Sequence, residues 1–374
     1  MKKLLVLLVV SMLALTGLTG CAAKTYKFGT GSVTTIKAKP AVAAVAAVEA
    51  VAATKTTPAV EAVAAVDAVP GSIDITTIYV AVLLDNAGKV VYVSFDSAQN
   101  KGTFDLTGAV VKAEVAPTKK EKGADYGMKA ASAIGKEWFE QIAALEAYLI
   151  GKTVDEVAAL EVVENLLTAE DIKTSVSIEV TDYLAAFAKA AANAVEVKGV
   201  AKVSIGSDTT VSSKNAVAAV EAVEAVAATK TTPAVEAVAA ADAVPGRVQT
   251  NVIFTGLALD RDGKVLLALV DTAQNQATFD DLGAIVKAEA APTIKEKGND
   301  YGLGGVSAIG KNWFEQAAAL EAYYIGKTAD EIAAIEIDAD GKAIAEDLKT
   351  SVSVGIDGLL ASFAKSVAYA VEVK

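Results

Sequence analysis

The chain has 374 residues, with 34 lysines and arginines against 46 acids, a formal charge of −12, one cysteine and no histidine. The lack of histidine excludes a Ser-His-Asp triad, His-ligated haem and His metal sites, and a lone cysteine excludes internal disulfides, Cys-held iron–sulfur clusters and zinc ribbons. An acidic surface repels nucleic acid and anionic headgroups, so neither is an expected partner.

The N-terminus sets the expected compartment. Lys2 and Lys3 precede an apolar run from Leu4 to Leu15. At about 12 residues this run is too short to span a bilayer but suits the core of a signal peptide. Leu18-Thr19-Gly20-Cys21 follows at once and matches the lipobox of bacterial lipoproteins. Residues 1–20 are therefore expected to be a signal peptide and 21–23 a lipidated N-terminus with the lipid on Cys21. The mature chain is expected on the extracytoplasmic face of the cell membrane, held by lipid.

The rest of the sequence repeats. Thr54-Lys-Thr-Thr-Pro-Ala-Val-Glu returns at Thr229, Asp125-Tyr-Gly at Asp300 and Gly151-Lys-Thr at Gly326, each 175 positions on. Asp171-Ile-Lys-Thr-Ser-Val-Ser returns as Asp347-Leu-Lys-Thr-Ser-Val-Ser, 176 positions on. The pattern predicts a tandem duplication, with copy one over 24–198 and copy two over 199–374.

In each copy a strand is expected first (Tyr26 to Ile36; Ala201 to Ser212). An Ala/Val-rich insertion follows over 41–70 and again over 216–245, with valine mostly at every third residue. That period suits neither strand nor helix, and the insertion reads as two short helices or an extended arm. Ile78 to Leu84 and Val90 to Phe95 read as a hairpin around Asp85-Asn-Ala-Gly-Lys89, and Phe104 to Val115 as further strand. Ile134, Trp138, Ile142, Leu145 and Leu149 share one helical face, which Gly151 ends. Thr153-Val-Asp-Glu156 and Thr328-Ala-Asp-Glu331 read as capping boxes. Val176, Ile178 and Val180 alternate as a strand. Thr181 or Asp182 caps a last helix with Tyr183, Leu184, Phe187 and Ala191 inward. The expected class is α+β: in each copy a mainly antiparallel sheet with helices packed on it.

Three features could carry chemistry. The loop Thr118 to Met128, mirrored by Thr293 to Leu303, is polar and holds Tyr126 (Tyr301). Trp138 and Trp313 favour core packing, although a flat ring could also stack on a flat cofactor, and Gln141 and Gln316 could bond a heterocycle. Asp171 to Ser177 offers an acid and three hydroxyls.

Taken in order, the Asp-x-x-Gly-Lys turn, the Asp-Tyr-Gly loop, the Lys-x-Trp helix and Asp-x-x-Thr-Ser-Val-Ser resemble the FMN-binding domain superfamily. They are closest to the tandem extracellular flavoprotein lipoproteins of Gram-positive bacteria. The resemblance spans both copies apart from the insertions. It implies FMN attached by a flavin transferase through a phosphodiester to Ser177 and Ser353. Asp171 and Asp347 would serve as the motif's acid, with Thr174 and Thr350 at its serine position. This sequence has Ser-Val where that motif has Gly-Ala, and serine where threonine usually bears the flavin. Tyr126, Tyr301, Trp138 and Trp313 become possible flavin contacts. The implied function is electron transfer between a membrane quinone oxidoreductase and an extracellular acceptor, by a carrier and not an enzyme with its own substrate. A cofactor-free surface protein for adhesion or spacing is the competing expectation, favoured by the Ala-Val-Glu stretches. A solute-binding lipoprotein ranks below both.

Overall fold

The computed structural model describes residues 23–50, 52, 58, 61–225, 227, 233 and 235–373. The expected signal peptide and Cys21 lie outside the described residues. Among the described residues, no helix is long and apolar enough to cross a membrane.

The first half opens with four antiparallel strands, β1 (Thr25–Lys39), β2 (Gly71–Leu84), β3 (Val90–Phe104) and β4 (Val110–Ala113). Helices α1 (Lys119–Lys122), α2 (Trp138–Leu149) and α3 (Val154–Ala158) follow, then the short pair β5 (Val162–Val163) and β6 (Leu166–Leu167), helix α4 (Thr181–Ala192) and strand β7 (Val195–Lys198). The second half runs β8 (Lys202–Lys214), β9 (Gly246–Leu259), β10 (Val265–Phe279), β11 (Ile285–Lys287), α5 (Ile294–Lys297), α6 (Trp313–Tyr324), α7 (Ala329–Ala333), α8 (Glu346–Lys349), α9 (Asp357–Ala368) and β12 (Val371–Glu372). The two main sheets share one plan, β4-β3-β2-β1-β7 and β11-β10-β9-β8-β12.

The molecule is therefore mixed α+β, in four layers: helices, sheet, sheet, helices. One apolar cluster joins the first sheet to α2 and α4 through Phe95, Trp138, Leu145 and Phe187, and another does the same around Leu320 and Phe363 in the second half. A third lies between the sheets and draws Phe28, Tyr79 and Leu83 from one half with Val203 and Phe254 from the other. Burial on both faces explains why β2 ends in the unbroken apolar run Tyr79 to Leu84: every one of these side chains has a core to enter.

Contacts across the inter-sheet face are reciprocal. Tyr79 stacks on Phe254 and Phe104 on Phe279, with ring centroids 5.9 and 3.9 Å apart. Lys189 pairs with Glu296 at 2.7 Å, and the corresponding Lys365 pairs with Glu121 at 2.8 Å. Contacts in which i meets j and j meets i mark an approximate twofold axis.

Local signals act as expected at the turns and caps. Gly88 takes φ 75°, and the Asp85 carboxylate accepts from the N–H groups of Ala87 and Lys89. Thr153 and Thr328 form full capping boxes with Glu156 and Glu331.

Several expectations are corrected. Phe104 to Val115 is not one strand, because Gly108, at φ 68°, turns the chain between β3 and β4. Helix α2 starts at Trp138, capped by Glu137, so Ile134 lies in the preceding turn. Val176 to Val180 is irregular: Val176 and Val180 enter the core, but the Ser177 N–H bonds to a side chain and not to a strand. Neither Thr181 nor Asp182 caps α4; Val180 holds that position, and the Thr181 hydroxyl donates to Asn165. Sequence reading missed the closing strands β7 and β12 altogether. The described parts of the two insertions are extended arms, not helices. Val42, Val45 and Val48 bridge Val69, Val66 and Val63, so only every third residue meets its partner across the arm. That pattern explains the valine period.

Candidate functional site

A cavity of about 680 Å3 opens on the helical side of the first sheet. This volume lies within the usual range for small-molecule sites. Lys37, Asp74, Lys119, Tyr126, Trp138 and Ser177 are among its lining residues.

Sheet register builds one wall. Lys37 on β1 lies opposite Asp74 on β2, and Thr76 lies opposite Gln99 on β3. Asp74 accepts from Gln99 Nε2 at 2.7 Å and from Thr76 at 3.1 Å, and Lys101 lies 3.6 Å away. The capping box of Thr118 and Glu121 fixes α1 and so aims Lys119, its first residue. Gly127, at φ 74°, lets the chain turn directly after Tyr126, whose hydroxyl donates to Gln99 Oε1 at 3.2 Å. The Lys119 ammonium sits 5.0 Å from the Tyr126 ring centre and 5.6 Å from that of Trp138. Burial lowers its pKa from the ordinary lysine value; Asp74 and Asp96 oppose that shift, and Lys37 adds to it.

Ser177 is held from the helix side. Its N–H and Oγ both donate to Gln141 Oε1, at 2.7 and 3.2 Å. Gln141 is fully buried, and its Nε2 donates to Ser132 Oγ and to the Lys136 carbonyl. Gln141 therefore does not take the expected heterocycle contact; it pins the serine loop to α2. Trp138 is 1% exposed and donates Nε1–H to the Tyr183 hydroxyl at 2.9 Å. It backs the cavity wall from the core, whereas the half-buried Tyr126 is the aromatic at the cavity's surface.

The structure thus joins Tyr126, Trp138 and Ser177. Asp171 and Thr174 do not line the cavity; both are exposed in the turn before Ser177. Asp171 sits beside Tyr148, whose hydroxyl is pushed up first by burial and then by that carboxylate. Asp347 stands in the same relation to Tyr323, and Thr350 is exposed.

In the second half, Gln316 Oε1 accepts from the N–H groups of Ser353 and Val354 at 2.7 and 3.1 Å. The Ser353 hydroxyl also lies 3.2 Å from that of Ser307. Trp313 is 7% exposed, and Tyr301 is half-buried beside Lys297.

Sequence reading missed Lys37, Asp74 and Gln99, and singled out Lys119 only as part of the loop Thr118 to Met128. One signal was present: Asp74 interrupts the β-branched run Ile73 to Ile75, and a charge in such a run needs a partner.

Part of the chain is similar to a known protein. A stretch is 40% identical over 101 residues to a protein from Desulfitobacterium hafniense described as a chlorophenol reductase, covering 23% of this chain and 30% of that protein. The chain thus spans less than a third of that relative's length. No family model and no solved structure matches the chain.

Proposed function

We propose that this protein is an exported, lipid-anchored carrier of FMN, built from one domain duplicated in tandem, that passes electrons outside the cytoplasm. The observation that carries this reading is the first-half cavity. It gathers the Ser177 hydroxyl, aromatic rings, two ammonium groups and three carboxylates from segments that are remote in sequence.

The rings, ammonium groups and hydroxyl suit the nucleotide. Tyr126 offers a flat apolar surface for a heterocycle. Lys37 and Lys119 offer charge-assisted hydrogen bonds to a phosphate. Ser177 Oγ, at the cavity wall, supplies the oxygen for a phosphodiester. In that attachment the serine oxygen bonds to phosphorus and the phosphoanhydride of an activated flavin dinucleotide breaks. The mononucleotide leaves with the electron pair, and the hydroxyl proton passes to a separate flavin transferase. Asp171 and Thr174, exposed on the approach to Ser177, are placed for that enzyme to read. Matched topology and reciprocal contacts support the duplication, and a partial relative described as a reductase is compatible with redox work.

The test is flavin content. The chain lacking residues 1–21 is co-expressed with a flavin transferase, weighed intact, and titrated with FMN if it emerges colourless. Covalent flavin mass, lost from Ser177 in Ser177→Ala, or saturable FMN binding is expected. If neither appears, the carrier reading is wrong and the cofactor-free surface role replaces it.

A further inference from the structure

Resting on the FMN reading, we infer that the chain carries a single flavin: Lys37 and Lys119 select its phosphate in the first half, and the second half is a structural copy without a flavin. The repeat itself makes the comparison. Across the 175-residue offset, Lys37 becomes Ser212, Lys119 becomes Ile294 and Asp74 becomes Gln249, whereas Tyr126, Trp138 and Gln141 keep their residue types, as does Ser177 at its offset of 176. The scaffold around the serine loop is therefore retained in both halves, and the two lysines of the wall are retained in one.

The exchanges alter more than composition. Among the described residues, neither Lys37 nor Lys119 forms an ion pair, although the adjacent Lys120 pairs with Glu146 at 2.8 Å. Lys119 is half-buried and Lys37 exposed; an ammonium that faces a cavity with no carboxylate in ion-pair distance is a site for an anion. Three acids line the cavity as well: Asp74 is engaged by Gln99, Thr76 and Lys101, and Glu179 and Asp182, near Ser177 in sequence, pair with neither lysine. In the second half, Ile294 is 3% exposed and belongs to the apolar core around Trp313 and Leu320, so the position that presents a cation in one half closes a core in the other. Gln249 bonds to Asn251 at 3.0 Å, a neutral pair where the first half has a charged one. The Ser353 hydroxyl, within reach of both Ser307 and Gln316, already has two partners. A flavin phosphate there would meet no compensating charge from residues 212, 249 and 294.

The experiment uses the full chain without residues 1–21. Apo-protein is titrated with FMN and, separately, with riboflavin, which lacks the phosphate. Holo-protein from co-expression with the transferase is digested and the flavin-bearing peptide identified. One FMN per chain, on the Ser177 peptide, is expected. Lys119→Ile, which installs the second-half residue, is expected to weaken FMN binding by about tenfold and leave riboflavin binding unchanged, as loss of one charge-assisted contact would do. Unchanged riboflavin binding also shows that this variant is folded. Two flavins per chain, or equal loading of the Ser353 peptide, overturns the single-site inference and leaves the carrier reading intact. Equal loss of FMN and riboflavin in Lys119→Ile overturns the assignment of the lysine to the phosphate. No flavin in any arm overturns the carrier reading itself, and the inference falls with it.

Discussion

Asp96 and Asp271 are corresponding acids on β3 and β10, and both are pushed above the usual carboxylate range, chiefly by burial. Asp271 reaches about 6 even though Thr293 Oγ1, at 2.6 Å, and the N–H groups of Lys295 and Thr272 all favour its charged form. The sign of the resulting pH effect follows from proton counting. Between the unfolded value near 4 and the folded value near 6, the folded state binds more protons than the unfolded one. This group's contribution to stability therefore falls as pH rises through that window and is flat above it. With partial exposure allowed for, the change is about 2 kcal/mol. Urea unfolding of the wild type and Asp271→Asn from pH 4 to 8 should show the wild type losing ground to the variant between pH 4 and 6, with a constant difference above pH 7. A difference that does not vary with pH would show that Asp271 titrates normally in the folded protein.

Elements whose signals are local could be read from the sequence, and those whose partners are distant could not. The Asp-x-x-Gly-Lys turn and the Thr-x-x-Glu caps act within four residues, so their chemistry is complete in the string. Strand β7 pairs Val195 to Lys198 with Phe28 to Thr25, and nothing near residue 195 announces that partner. The cavity was half visible: Ser177, Tyr126 and Trp138 stood out as residue types, whereas Lys37 and Asp74 are brought together by sheet register and Lys119 by the packing of α1. The arms are the opposite case, a loud sequence signal with little bearing on the core. Lys39 on β1 pairs directly with Ser72 on β2, so the first arm is an excursion between two residues that are already partners. Replacing residues 40–71 with Asn-Gly should join them as a two-residue hairpin. The glycine then stands where Gly71 does, a position at which a Cβ would lie 2.3 Å from the Phe104 ring. The deletion loses the bond from Ala41 N–H to the Gly283 carbonyl, worth about 1 kcal/mol, together with the packing of the Ala41 methyl against the cluster of Phe104 and Phe279; the shorter loop offsets part of that. Thermal unfolding should move by no more than about 3 °C. A larger fall would mean that the arm stabilises the fold through contacts beyond its base.

At the scale of the whole molecule, the two halves are alike enough to mirror each other and different enough to interlock. The approximate twofold raises the question of whether either half could pair with itself. The ion pairs would permit it, since the first half contains both Lys189 and Glu121. The packing would not. A Cβ built on Gly256 would lie 2.4 Å from Thr30 Cγ2 and 3.1 Å from the Phe28 ring, so Phe28 fits because residue 256 has no side chain. The corresponding residue of the first half is Ala81, which is fully buried in the same inter-sheet cluster as Val203 and Ile205, the counterparts of Phe28 and Thr30. Each half thus has one bulky and one small partner, arranged so that unlike halves match. Two first halves would set Ala81 against Phe28 twice. Separately expressed residues 24–198 and 199–373 should therefore recombine as a one-to-one complex in preference to either homodimer, as read by light scattering and native mass. In the intact chain, Gly256→Ala should destabilise by about 1–3 kcal/mol in urea unfolding, the usual cost of overpacking, whereas Gly263→Ala, at a turn with open space around it, pays only for its positive φ of 78°. First halves that pair with each other as readily as with second halves would show that the interlock at Gly256 does not set the choice of partner.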